Sequence, residues 1–117
     1  MARSTEEVLD HHLQSFGSGN LEGILEDFTP QSVILSADDG PLRTRDEMAG
    51  YFQAMFDEFA KPGASFSLDK RIIDGDTAFI AWSAETADNV YELGTDTFVV
   101  RDGKIVTQTF VAKKTPK

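Results

Sequence analysis

The chain has 117 residues, no cysteine and a formal charge of −9. That length fits one domain spanning residues 1–117, and an apolar fraction of 40% is enough for a single core, which excludes a wholly disordered chain. Twenty acidic side chains against eleven basic ones argue against a nucleic-acid partner, which needs a basic stripe, and the lack of cysteine excludes disulfide frameworks, zinc ribbons and thiol nucleophiles.

Ser4 followed by Glu7 is a capping box that opens a helix carrying Val8, Leu9, Leu13 and Phe16 at helical spacing. Gly17-Ser18-Gly19 stops it. Asn20 caps a second helix with Leu21, Ile24, Leu25 and Phe28 in one narrow stripe, ended by Pro30. Ser32 to Ser36 is short and β-branched and reads as a strand, and Ala37 to Pro41 reads as a loop. Thr44 caps a third helix, with Asp46 and Glu47 at its positive end and Met48, Phe52, Met55 and Phe59 on its buried face, flanked by Tyr51 and Phe56.

After Pro62-Gly63 the period changes from helix to strand. Phe66, Leu68 and Ile72 alternate, Asp74-Gly75 turns, and Thr77–Glu85, Val90–Val100 and Ile105–Ala112 are strands, the last two joined at Arg101-Asp102-Gly103-Lys104. The Lys113-Lys114-Thr115-Pro116-Lys117 tail reads as a solvated end. No apolar run reaches the ~18 residues of a membrane span, and Met1 to Glu7 has no signal-peptide core, so the expectation is a cytoplasmic protein without a membrane partner. The order helix, helix, strand, helix and four-stranded meander implies an α+β fold. Its cone-shaped, curved antiparallel or mixed sheet wraps around the three helices. The unfilled part of such a cone is a cavity for a small hydrophobic molecule.

This order of elements resembles the nuclear transport factor 2-like superfamily and, within it, the SnoaL-like proteins. The most telling stretches are His12 to Phe28 and Gly94 to Phe110. The resemblance covers almost the whole chain. It implies a cystatin-like fold, homodimers that pair by the outer face of the sheet, and a pocket that works without cofactor or metal. Phe79 and Ala81, alternating opposite Ile80 and Trp82, give the sheet the second apolar face that such pairing needs.

His12 lies near the first helix's apolar stripe, whereas His11 lies on its wet face. The superfamily includes ketosteroid isomerases, and the resemblance sets His12 at the position of the isomerase tyrosine that donates to the substrate oxyanion. The plainer alternative is a core histidine bonded to a neighbour. Asp96 interrupts an apolar strand, and the resemblance matches it to the isomerase's protonated aspartic acid; the alternative is an edge carboxylate that faces water or pairs with a neighbouring Arg or Lys. If Asp96 points inward, Gly94 and Phe98 do too. A third arrangement is a His12–Asp96 pair, the carboxylate fixing the imidazole's tautomer. The isomerase's general-base position falls on Ser36, with Asp38 and Asp39 just beyond.

Trp82, Phe98 and Phe110 would form an aromatic wall or be ordinary core, Gln108 would orient a ligand or face solvent, and Tyr51 would point its hydroxyl into the cavity or cover its rim. Asn89 and Tyr91 read as turn chemistry. G-x-S-x-G, G-x-G-x-x-G and P-loop patterns are absent, and the adjacent histidines diverge, so no metal site is expected. Three functions remain: acid/base isomerisation, cyclisation or dehydration of a hydrophobic carbonyl compound; non-catalytic ligand binding; or an interaction domain with a filled cone.

Overall fold

The two strongest local signals set the ends of the two long helices. In a computed structural model, which describes residues 2–117, Ser4 and Thr44 accept from the backbone N–H groups of Glu7 and Glu47, and both glutamates reach back to the cap backbone. Each such cap is worth about 1 kcal/mol. They begin α1 (Thr5–Gly17) and α3 (Arg45–Ala60). Between them, Asn20 caps the single-turn α2 (Leu21–Leu25).

Six strands complete the chain: β1 (Phe28–Ser36), β2 (Gly40–Leu42), β3 (Ser65–Asp74), β4 (Thr77–Glu85), β5 (Asn89–Arg101) and β6 (Lys104–Pro116). They form one curved, unclosed sheet in the order β2-β1-β6-β5-β4-β3. Only β1 and β6 run parallel. Register shifts at Leu68/Lys70, Trp82/Ala84, Tyr91/Leu93 and Val99/Val100 insert unpaired residues, which bend strands and add twist. The β5–β6 hairpin turns on Asp102 (φ 51°) and Gly103 (φ 74°), the left-handed pair that an Asp-Gly turn supplies.

Three boundaries differ from the sequence expectation. The second helix stops at Leu25, so Phe28 starts a strand. Pro30 therefore ends no helix. It lies in the irregular stretch between Phe28 and Val33, where a residue without an N–H breaks no ladder bond. Gly40 and Pro41, expected in a loop, pair with β1 together with Leu42, and β6 runs on through the lysine tail to Pro116 because β5 extends alongside it. On α3 the buried side chains are Met48, Phe52 and Phe56, with Met55 and Phe59 only half covered, a rotation of the face by one position.

The core has two parts. One lies under α1 on the concave faces of β4, β5 and β6 and includes Val8, Leu9, Ile80, Trp82, Phe98 and Ile105. The other joins α2, α3 and β1 through Ile24, Leu25, Ile34, Met48 and Phe52. Phe28 packs against both. No helix among the described residues is long and apolar enough to cross a membrane.

Candidate functional site

Helical periodicity carries Val8, Leu9 and His12 to the buried side of α1. His12 is 5% exposed and stands at the seam between the two core parts. Its ring meets Phe98 of one part at 5.0 Å and Phe52 of the other at 5.9 Å, both edge to face. Nδ1 has no hydrogen-bond partner among the described residues. Burial, helped by neighbouring His11, pushes the imidazole down to about 3, so the ring is neutral at physiological pH.

Strand alternation carries Gly94, Asp96 and Phe98 to the concave face and leaves Thr95 and Thr97 on the other. Asp96 lies on a central strand, opposite Ile80 on one side and Phe110 on the other. It is 7% exposed. Trp82 Nε1 donates to Oδ1 at 2.8 Å, and Gln108 Nε2 donates to Oδ2 at 2.9 Å. Burial pushes the carboxyl up to about 6, against the two N–H donors that hold it down. Near pH 7 the group is therefore mostly a carboxylate. Of the arrangements open for Asp96, the hydrogen-bonded pair with His12 is not formed: both carboxyl oxygens accept, and their partners are an indole and an amide.

His12, Asp96, Gln108, Trp82, Tyr51 and Phe110 line one cavity of about 40 Å³, closed by apolar side chains that include Phe52 and Met55. Of the expected site residues only Phe98 is missing from that wall: its ring lies behind the imidazole as ordinary core. Phe110 stacks on Trp82 with planes 4° apart and meets Tyr51 edge to face at 6.1 Å. Burial pushes the Tyr51 phenol well above its ordinary range, so it keeps its proton.

Tyr51, Met55 and Phe110 also line a second, larger cavity of about 490 Å³ that opens outward past Asp38, Asp39 and Lys114. Asp38 and Asp39 thus face this vestibule rather than the inner chamber, and buried Ser36 donates to Asp39 at 3.1 Å. Tyr91, read as turn chemistry, lines the vestibule and donates its hydroxyl to Glu58.

The sequence reading missed Asp27. It is fully buried, accepts from His11 Nδ1 at 2.8 Å, and pairs with Arg3 at 3.0 Å. His11 is thus tied to a carboxylate, not left on a wet face. The available signal was spacing, since Asp27 follows Ile24 by three residues and so continues the buried stripe. Among the described residues no group of three or more His, Asp or Glu side chains is placed to hold a metal ion.

Solved structures share this architecture. SalBIII, an epoxide hydrolase/cyclase-like enzyme in pyran ring formation in polyether salinomycin, superposes with a TM-score of 0.77 at 16% identity over 93% of this chain and 90% of its own. IdmH of Streptomyces antibioticus, a proposed polyketide cyclase, gives 0.73 at 20% over 95% and 93%. A nuclear transport factor 2-like protein of unknown function from Cytophaga hutchinsonii gives 0.77 at 7% over 97% and 93%. At such identities the likeness establishes the fold alone. No curated protein matches the chain in sequence. Residues 9–108, however, match the family model of the SnoaL-like domain, and the chain belongs to that family.

Proposed function

We propose that the inner chamber binds the carbonyl end of a small hydrophobic molecule and catalyses proton transfer beside it, without cofactor. One observation carries this reading: a buried carboxylate held by two N–H donors shares a cavity with a neutral imidazole whose Nδ1 has no partner. Asp96, more basic than an exposed carboxylate, takes a proton from the carbon next to the carbonyl. The C–H electron pair becomes the new C=C bond, and the carbonyl π pair moves onto the oxygen. The neutral His12 ring offers its N–H to that oxygen, the role a depressed imidazole pKa suits. Return of the proton from Asp96 to a different carbon completes an isomerisation. Trp82, Gln108 and Tyr51 orient the base and ligand, and Phe110 covers the ligand's apolar body. A chamber of about 40 Å³ admits only the reacting end, and the adjoining vestibule of about 490 Å³ has room for the rest.

The test is deuterium incorporation next to the carbonyl of α-tetralone in D2O, followed by proton NMR. Wild type is expected to accelerate exchange over buffer, and Asp96→Asn to lose ~100-fold or more of that acceleration. Binding of α-tetralone with no accelerated exchange would favour the second reading, a non-catalytic ligand-binding module. The small inner volume is the observation on that side.

A homodimer formed through the outer face of the sheet, in the cytoplasm, belongs to the same proposal. Leu35, Ile72, Leu93 and Val111 are exposed on β1, β3, β5 and β6, beside half-covered Phe79 and Ala81, an apolar surface that pairing would cover. Sedimentation as a single monomeric species at micromolar concentration would sink the dimer.

A further inference from the structure

Gln108 is 2% exposed and stands one inward position from Phe110 on β6. Its amide has one acceptor oxygen and two N–H donors. Nε2 donates to Asp96 Oδ2. With Nε2 on the carboxyl, Oε1 is turned the other way. Oε1 is then a buried acceptor with no partner among the described residues, on a side chain that lines the chamber.

The other polar groups of the chamber leave this acceptor unmatched, the Tyr51 hydroxyl included, which makes no hydrogen bond to Oε1 among the described residues. Trp82 spends its only N–H on Asp96. The neutral imidazole carries one N–H, which the acid/base reading assigns to the carbonyl oxygen. A ligand that offers only a carbonyl would satisfy His12 and still bury Oε1 dry. A ligand that also carries a hydroxyl would satisfy both. A site built with a buried acceptor discriminates strongly against analogues that cannot donate to it, because the acceptor then loses water and gains nothing.

We infer that Gln108 is a specificity-determining residue: its Oε1 accepts a hydrogen bond from a hydroxyl on the ligand, so the chamber takes hydroxylated carbonyl compounds in preference to plain ketones. The inference rests on the acid/base reading only in assigning the carbonyl end to the chamber.

Calorimetric titration with α-tetralone, its 8-hydroxy derivative and both enantiomers of its 2-hydroxy derivative, whose hydroxyls stand beside the carbonyl, tests it. With wild type, at least one hydroxylated isomer is expected to bind about tenfold or more tightly than the parent. In Gln108→Met, of similar length but without an acceptor, that gap should shrink to within about twofold while the parent binds as well or better. Trp82→Phe separates the two roles of the amide. It removes a donor from Asp96 but leaves Oε1 in place while the carboxyl is ionised, so at about pH 9 the gap should persist. The wild-type comparison needs no variant to fold. Equal binding of all four ketones, no binding of any, or a gap that survives Gln108→Met would each overturn the inference. A gap without deuterium exchange leaves Gln108 in its role and removes the acid/base reading. Exchange without a gap does the reverse.

Discussion

Gly94 and Trp82 face each other across the β4–β5 ladder, and the indole occupies the space a side chain at position 94 would need. A Cβ there would lie 2.3 Å from Cε2 and Cζ2 of the ring, closer than atoms can approach. The ring cannot retreat easily, since Phe110 stacks on it and Phe66 and Tyr91 pack around it. Gly94 thereby lets the indole lie where Nε1 reaches Asp96. Gly94→Ala should destabilise the fold by about 1–3 kcal/mol, the usual range for overpacking. Trp82 is the single tryptophan, so its fluorescence reports the shift directly. Unchanged emission together with an unchanged denaturant midpoint would contradict this account.

Asp96 should make the protein less stable as pH rises. Its folded pKa, about 6, is above the ordinary 3.8. The native state therefore binds the proton more readily than the unfolded chain, and stability falls between about pH 4 and 6 and then levels off. Asp96→Asn lacks this cost. Its stability relative to wild type should improve by roughly 2–3 kcal/mol between pH 4 and pH 7, read from urea melts at the two values. A difference that is flat with pH would mean the carboxyl titrates normally. In Trp82→Phe the loss of one N–H donor should raise the carboxyl further, visible as a later carbon-13 titration of Asp96.

His12 should act in the opposite direction. Its folded pKa, about 3, is below the ordinary 6.5, so its contribution is fully present above pH 6.5 and is lost as pH falls from there towards 3. Between about pH 4 and 6 the two groups oppose each other. His12→Phe keeps an aromatic ring among Phe28, Phe52 and Phe98 and removes the titration. Acidification should favour the variant over wild type by roughly 2 kcal/mol at pH 5. Parallel stability curves for the two proteins from pH 7 to 5 would rule the account out.

What could be read from the sequence here was local or periodic. Ser4 with Glu7, Thr44 with Glu47, and Asp102-Gly103 act within four residues, and each does in the fold what its spacing implies. The helical period carried His12 inward, and strand alternation did the same for Asp96 and Gln108. The aim of the side chains was not legible. Trp82 and Gln108 are 14 and 12 residues from Asp96, and each needs the register of a different neighbouring strand. Shifts at Trp82/Ala84 and Val99/Val100 change that register, and no local pattern announces them. The difference matters chemically. The sequence left position 96 open as donor or acceptor, and the acceptor role comes from two N–H groups that converge on it from other strands.

Asp27 shows the same limit on a structural element, and it yields the firmest stability prediction. Its carboxylate is fully buried and held by Arg3 and His11, while its backbone oxygen accepts from Ile105 N. Arg3 also donates to Gly103 O at 2.9 Å, so the start of α1, the exit of α2 and the β5–β6 hairpin are tied together. A buried carboxylate is tolerable only while its donors stay in place. Arg3 and His11 keep about a third of their side-chain surface in water, so each can be resolvated if the carboxylate is lost. Asp27→Ala should therefore cost about 2–3 kcal/mol, below the 3–5 typical when a fully buried pair is broken. Removing a donor strips a partner from a carboxylate that has no water to replace it. Arg3→Ala combined with His11→Ala should for that reason cost at least as much as Asp27→Ala. Thermal and urea unfolding of the three proteins gives the comparison. A double variant as stable as wild type would show that the carboxylate needs neither donor.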